Sequence, residues 1–114
     1  ETHFDALWQE GMSRNIDVVL VPTLATFDSN ERWKALLKTR AFTHGCYVVR
    51  ANRIGEFKES KDETWHFYGH SFYVDPLGKI EEELNKKEEL MIIPINKNLP
   101  EKQKRFGASR KLLT

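Results

Sequence analysis

The sequence predicts an α/β domain in which a parallel pair of strands gives way to an antiparallel meander. Three observations carry this. Asp17–Val21 and Cys46–Asn52 are unalternated, β-branched runs, the kind buried on both faces in α/β proteins. Helical periodicity precedes each of them. After the second run three further strand patterns follow, separated by short turns.

The elements follow in order. Leu7, Trp8 and Met12 recur after Phe4 at helical spacing, and Asp5 suits a first turn, so a helix is expected over Asp5–Arg14. The first strand runs to Val21 and ends at Pro22. Thr23–Ser29 reads as a loop at that strand's carboxyl end, where open α/β sheets place ligands. Asp28 with Glu31 three residues on suggests a capping arrangement. Trp33, Leu36, Leu37, Ala41 and His44 mark one helix face, and Gly45 is a left-handed stop.

Cys46–Asn52 is the second strand. Arg53–Thr64 reads as a polar excursion, and His66–Val74 as one continuous third strand. Asp75-Pro76-Leu77-Gly78 is a turn, with Pro presetting φ and Gly accepting unusual dihedrals. Lys79–Leu84 returns as a strand whose Glu81-Glu82-Glu83 run suggests an exposed edge. Leu90–Ile95 is expected as a last strand, kept from a central position by Pro94. One helical turn is expected near Pro100–Phe106. The helices cover one sheet face, and the other also wants a partner layer.

Composition bounds the class. The 114 residues are 39% hydrophobic and 31% charged, an ordinary globular balance. The single Cys46 excludes an internal disulfide, and a reducing, cytoplasmic setting fits. No apolar run reaches the about 20 residues of a membrane span. Residues 1–96 hold 12 Lys/Arg against 16 Asp/Glu, whereas 97–114 hold six against one. The chain therefore reads as a folded body, 1–96, with a basic tail, 97–114. The tail has one aromatic, Phe106, and no nucleic-acid motif, so docking on acidic protein is expected over nucleic-acid binding. Glu1 does not look like a natural start, which suggests a piece of a longer protein.

Three blocks carry a family resemblance: DVVLVPTLAT, RAFTHGCYVVRANRIG and FYGHSFYVDPLGKI. In this order and separation they resemble the carboxyl-terminal half of the nitrilase superfamily, the carbon–nitrogen hydrolases. The resemblance implies half of a four-layer α-β-β-α sandwich, usually dimeric, and a Glu–Lys–Cys triad. Glu1-Thr2-His3-Phe4 fits the last four positions of the family's Cys-x-(Asp/Glu)-x-x-Phe turn. The nucleophile would then lie two residues before Glu1, and no triad residue falls within this chain.

The implied chemistry is covalent. A thiolate activated at a helix amino terminus attacks an amide or nitrile carbon and forms a thioester-type intermediate. The carboxylate moves protons and the ammonium stabilises developing charge. By analogy with a protease triad, losing the nucleophile costs about 10⁶-fold in turnover. The resemblance implies a small amide, N-carbamoyl amine or nitrile substrate, with no cofactor, metal or nucleic-acid partner and no membrane. The candidate substrate contacts are Thr23, Leu24, Ala25, Thr26 and Phe27, in the pocket-wall loop, with His3 near the site mouth. The alternative is a non-catalytic dimerisation or binding module derived from the fold.

Other residues have blander readings. Cys46 follows a helix carboxyl terminus, where the dipole disfavours a thiolate, and packs well as a buried thiol. His66 and His70 flank Tyr68 on one strand face without a third ligand for zinc. His44 reads as a helix cap. Asn52 is expected to bond loop backbone and Arg53 to pair with a carboxylate. Trp8, Trp33 and Phe42 suit core packing or a subunit interface.

Overall fold

The computed structural model describes residues 5–26, 28–96 and 98–100. Helix α1 (Asp5–Ser13) leads into β1 (Val18–Thr23), α2 (Asn30–His44) and β2 (Tyr47–Asn52). Then come β3 (Ile54–Lys58), β4 (Thr64–Tyr68), β5 (Phe72–Val74) and β6 (Ile80–Glu83). One sheet has the order β1-β2-β5-β6, and β3 and β4 form a separate two-stranded sheet. The β1–β2 pair is parallel, joined through α2, and the remaining pairs are antiparallel. This is the expected α/β class with an antiparallel second half.

Paired residues share a sheet face, so register names the face that meets the helices. Val19 pairs with Val48 and Val48 with Val74, which makes an apolar row across the sheet. Leu37 and Ala41 of α2 pack on it, with Leu36 and Trp33 at the margin. Trp8 of α1 closes the far end, edge-on to His44 at 5.3 Å and under the Arg40 guanidinium at 5.4 Å. Phe42, beside the Gly78 turn, is exposed.

The opposite face is only partly covered. Tyr47 and Tyr73 are buried there, and the Tyr47 hydroxyl accepts from the Asn96 amide at 3.1 Å. Leu20 beside them is 73% exposed, and Pro22 and Ala51, paired next along, are exposed too. No helix among the described residues is long and apolar enough to cross a membrane.

Several expectations need correction. Pro22 lies inside β1 and does not end it. Because β1 is an edge strand, the missing N–H can face away from the ladder. Ser29, not Asp28, occupies the N-cap position of α2. Arg53–Thr64 is the exposed, polar stretch expected, but it also supplies β3 and the start of a hairpin with β4, which the sequence did not show. His66–Val74 is two strands in two sheets. Gly69 at φ 73 and His70 at φ 55 break it, since two successive left-handed residues cannot continue a strand. Leu90–Ile95 forms no strand, and Leu90 (84%) and Ile92 (76%) are exposed. Gly45 does end α2 in the left-handed conformation, at φ 62 and ψ 44. Asn98–Pro100 is helical, while the rest of the basic tail and Glu1–Phe4 lie outside the described residues.

Candidate functional site

The parallel strands end at Thr23 and Asn52, which are register partners. Both side chains point toward the α2 face, and everything that follows is built on that edge. Asn52 is buried and spends its amide on two loops. Its Oδ1 accepts from Thr23 Oγ1 at 2.8 Å and from the Ala25 amide at 2.9 Å. Its Nδ2 donates to the Gly69 carbonyl at 2.9 Å, and its backbone N–H to Ser71 Oγ at 2.9 Å. The loop after β1 and the break between β4 and β5 are thereby tied to one side chain. A buried amide bonded on both its oxygen and its nitrogen rigidifies what it touches. The expectation that Asn52 bonds loop backbone describes this contact.

Two residues earlier, on the same face, Val21, Arg50, Phe72 and Glu83 form a row across all four strands. Arg50 is fully buried. Its Nε donates to Thr23 Oγ1 at 3.1 Å, Nη1 to Asn30 Oδ1 at 2.9 Å and Nη2 to the Tyr68 hydroxyl at 2.6 Å. Trp33, Tyr68 and Phe72 present their rings to the guanidinium at 5.0, 5.2 and 5.6 Å. Among the described residues none of these partners is a carboxylate. Weak hydration and a planar fork make Arg the cation that tolerates such a place, and the three rings supply cation–π attraction.

The counter-charge sits two strands away, on β6. Glu83 accepts from Asn30 Nδ2 at 3.0 Å, pairs with Lys34 at 2.8 Å, and meets His70 Nδ1 at 3.3 Å. Burial pushes the Glu83 carboxyl up, but hydrogen bonds from Lys34 and Asn30, with the charges of Lys34 and His70, outweigh it and hold it below the ordinary carboxylate range. The hydrogen bond to Glu83 in turn raises Lys34, against the effect of its own burial.

The expected substrate residues fall unevenly on this frame. Thr23 has its hydroxyl turned inward, between Arg50 and Asn52. Leu24 is 70% exposed, and Ala25 and Thr26 are half-buried. Phe27 and His3 lie outside the described residues. Arg53 is exposed and stacks over Phe67 at 4.5 Å, not on a carboxylate; β2 turns its preceding alternate residue, Ala51, away from the helices, and Arg53 leaves the sheet with β3. His66 and His70 do not share a strand face, since the Gly69 break parts them; His66 pairs with Glu56 at 3.2 Å on the hairpin. His44 contacts the Arg40 carbonyl in the last turn of α2 through Nδ1, at 3.1 Å. Cys46 is buried beyond that helix end. The sequence reading passed over Arg50, Asn30, Tyr68 and Glu83. The available signal was a charged residue inside the apolar run Tyr47–Asn52.

Known proteins resemble this chain in sequence and in fold. The carbon–nitrogen hydrolase family model matches residues 1–104. The deaminated glutathione amidase of Dictyostelium discoideum is 30% identical over 81 residues, 70% of this chain and 26% of that protein. The human deaminated glutathione amidase is 42% identical over 48 residues, 42% of this chain and 14% of that protein. The chain thus spans about a quarter, or less, of these relatives' lengths. Among solved structures, a carbon–nitrogen hydrolase from Helicobacter pylori superposes with a TM-score of 0.81 at 21% identity, over 91% of this chain and 40% of that one, which shows the fold. An amidase of the nitrilase superfamily from Nesterenkonia superposes at 0.63 with 29% identity, over 75% of this chain and 31% of that one. A family match over nearly the whole chain, joined to the shared fold, makes this chain a member of the carbon–nitrogen hydrolase family of the nitrilase superfamily.

Proposed function

We propose that this chain is the carboxyl-terminal part of a hydrolase that cleaves a non-peptide carbon–nitrogen bond in a small amide, N-carbamoyl amine or nitrile. The observation that carries this reading is the Asn52 clamp, which fixes two loops at the carboxyl edge of the parallel strands. That edge is where α/β sheets bind ligands. In this reading the loop after Thr23 is one wall of the substrate cavity. Leu24 and Thr26 face the substrate, while Thr23 and the Ala25 amide are spent on holding the loop.

The nucleophile, carboxylate and ammonium of the Cys–Glu–Lys mechanism are supplied by polypeptide outside this chain. Burial of Cys46 supports that assignment, because a nucleophilic thiolate needs access and positive potential. The bare sheet face around Leu20 supports a second sheet layer covering it, as in a four-layer sandwich that pairs with its own copy. The bland reading, a non-catalytic module of the same fold, keeps the frame and lacks turnover.

Ammonia release separates the two. The full-length protein containing this chain is expected to hydrolyse members of a panel of short linear amides, carbamoyl amines and nitriles. The 114-residue chain alone is expected to hydrolyse none, and Cys46→Ala in the full-length protein is expected to keep turnover. Inactivity of the full-length protein across the panel, or loss of turnover in Cys46→Ala, refutes the reading.

A further inference from the structure

We infer that Arg50 is a positioning residue for the substrate wall, holding both feet of the segment between Thr23 and Asn30 with one guanidinium. This rests on the functional reading above, in which that segment lines the cavity.

The geometry is specific to a fork. Nε holds Thr23, the last residue of β1, at 3.1 Å. Nη1 holds Asn30, the first residue of α2, at 2.9 Å. Nη2 holds Tyr68 at 2.6 Å, and the same hydroxyl meets Ser29 Oγ at 3.2 Å, so the second foot is gripped twice. An arginine is a donor only. Thr23 Oγ1 therefore accepts from Nε and passes its own hydrogen to Asn52 Oδ1, which also accepts the Ala25 amide. The donors converge: the buried cation donates to Thr23, and Thr23 and the loop's Ala25 amide both donate to Asn52 Oδ1. Full burial and three surrounding rings confine the guanidinium. Packing alone would be met by an apolar side chain, and charge alone by Lys. Only a planar group with several donors at fixed angles spans Thr23, Asn30 and Tyr68 together.

The test uses the full-length protein and two variants. Arg50→Lys keeps the charge and loses the fork, while Thr23→Val keeps the shape and frees one foot. In Arg50→Lys, KM is expected to rise about tenfold or more with kcat within about threefold, since tenfold corresponds to losing about one good hydrogen bond. Thr23→Val is expected to show a smaller rise of the same kind. Hydrogen exchange is expected to speed at Leu24–Thr26 in both, with the β2–β5 ladder at Val48 and Val74 unchanged. If Arg50→Lys fails to fold, Thr23→Val alone decides by the same two readouts. An active protein whose variants keep KM and exchange at wild-type values overturns the inference. So does faster exchange across the whole sheet, which marks a general packing role. A wild-type protein that turns over nothing in the panel overturns the functional reading instead.

Discussion

Arg50 and Glu83 stand in one row across the sheet, with Phe72 between them, and are linked through a neutral amide. Adjacent strands lie about 4.8 Å apart, so the two positions are about 10 Å apart at the backbone. Asn30 fills the interval. It accepts from Arg50 at 2.9 Å and donates to Glu83 at 3.0 Å. The charge of a fully buried cation is thereby linked to a carboxylate that still reaches solvent at 26% side-chain exposure. Burying the carboxylate beside the arginine would add its desolvation to that of the cation.

Asn30→Leu is therefore expected to destabilise the protein by about 1–3 kcal/mol, because it strands a donor of Arg50 and an acceptor of Glu83. Urea unfolding measures this as a lower midpoint at unchanged slope. A midpoint equal to wild type means that the relay contributes nothing.

Glu83 sets a pH dependence of definite sign. Its carboxyl is held below the ordinary 4.5, so the folded state favours the ionised form. The stabilisation is complete above 4.5 and is lost as pH falls through the lower, folded-state value. Lys34 acts in the opposite sense. Raised above 10.5, it stabilises at and below that pH and loses this only as pH climbs through its folded-state value. Urea midpoints between neutral pH and pH 3 are expected to fall more steeply for wild type than for Glu83→Gln. Parallel curves would show that Glu83 carries no linkage.

Gly69 and Gly55 offer a controlled contrast. Both have positive φ, at 73° and 94°. A Cβ at Gly69 would come within 2.7 Å of Ile54 Cγ2 and 3.0 Å of the Asn85 carbonyl, whereas at Gly55 nothing lies within 4 Å. Backbone strain alone is expected to cost about 1–2 kcal/mol in Gly55→Ala. Gly69→Ala is expected to cost more and to disturb the Asn52 bond to the Gly69 carbonyl. Equal melting temperatures for the two variants would contradict the steric argument.

How far the sequence revealed this structure depends on where burial imposed a pattern. The parallel strands were legible because Val18–Val21 and Tyr47–Val49 are rich in β-branched residues, although the expected burial on both faces fails in the first of them, where Val21 is buried and Leu20 is 73% exposed. Gly45 was legible because a left-handed helix end suits glycine. The β3–β4 hairpin was hidden because both of its faces meet solvent: Phe57 and Trp65, paired across it, are 51% and 43% exposed, and charged residues fill the tip. The Gly69–His70 break was hidden inside an unbroken alternation of side chains. In the site, Asn52 could be read as a loop tie because Asn52-Arg53 resembles the family pattern. Its neighbour Arg50 could not be assigned a role from the sequence, because its partners Asn30 and Tyr68 are 20 and 18 residues away in the chain.

The bare sheet face gives the last prediction. Leu20 is 73% exposed and lies beside Val49, with Pro22 and Ala51 exposed next to them. A contiguous apolar patch on a sheet face is covered in stable proteins, since water contact costs roughly 25 cal/mol per Å². The isolated 114-residue chain is therefore expected to self-associate in sedimentation velocity and to bind an apolar dye. Leu20→Glu is expected to weaken both effects in the isolated chain, by placing a charge in the patch. In the full-length protein the same substitution is expected to be destabilising, by burying that charge under a second layer. A monodisperse, dye-silent isolated chain, together with a full-length protein indifferent to Leu20→Glu, would mean that this face has no covering layer.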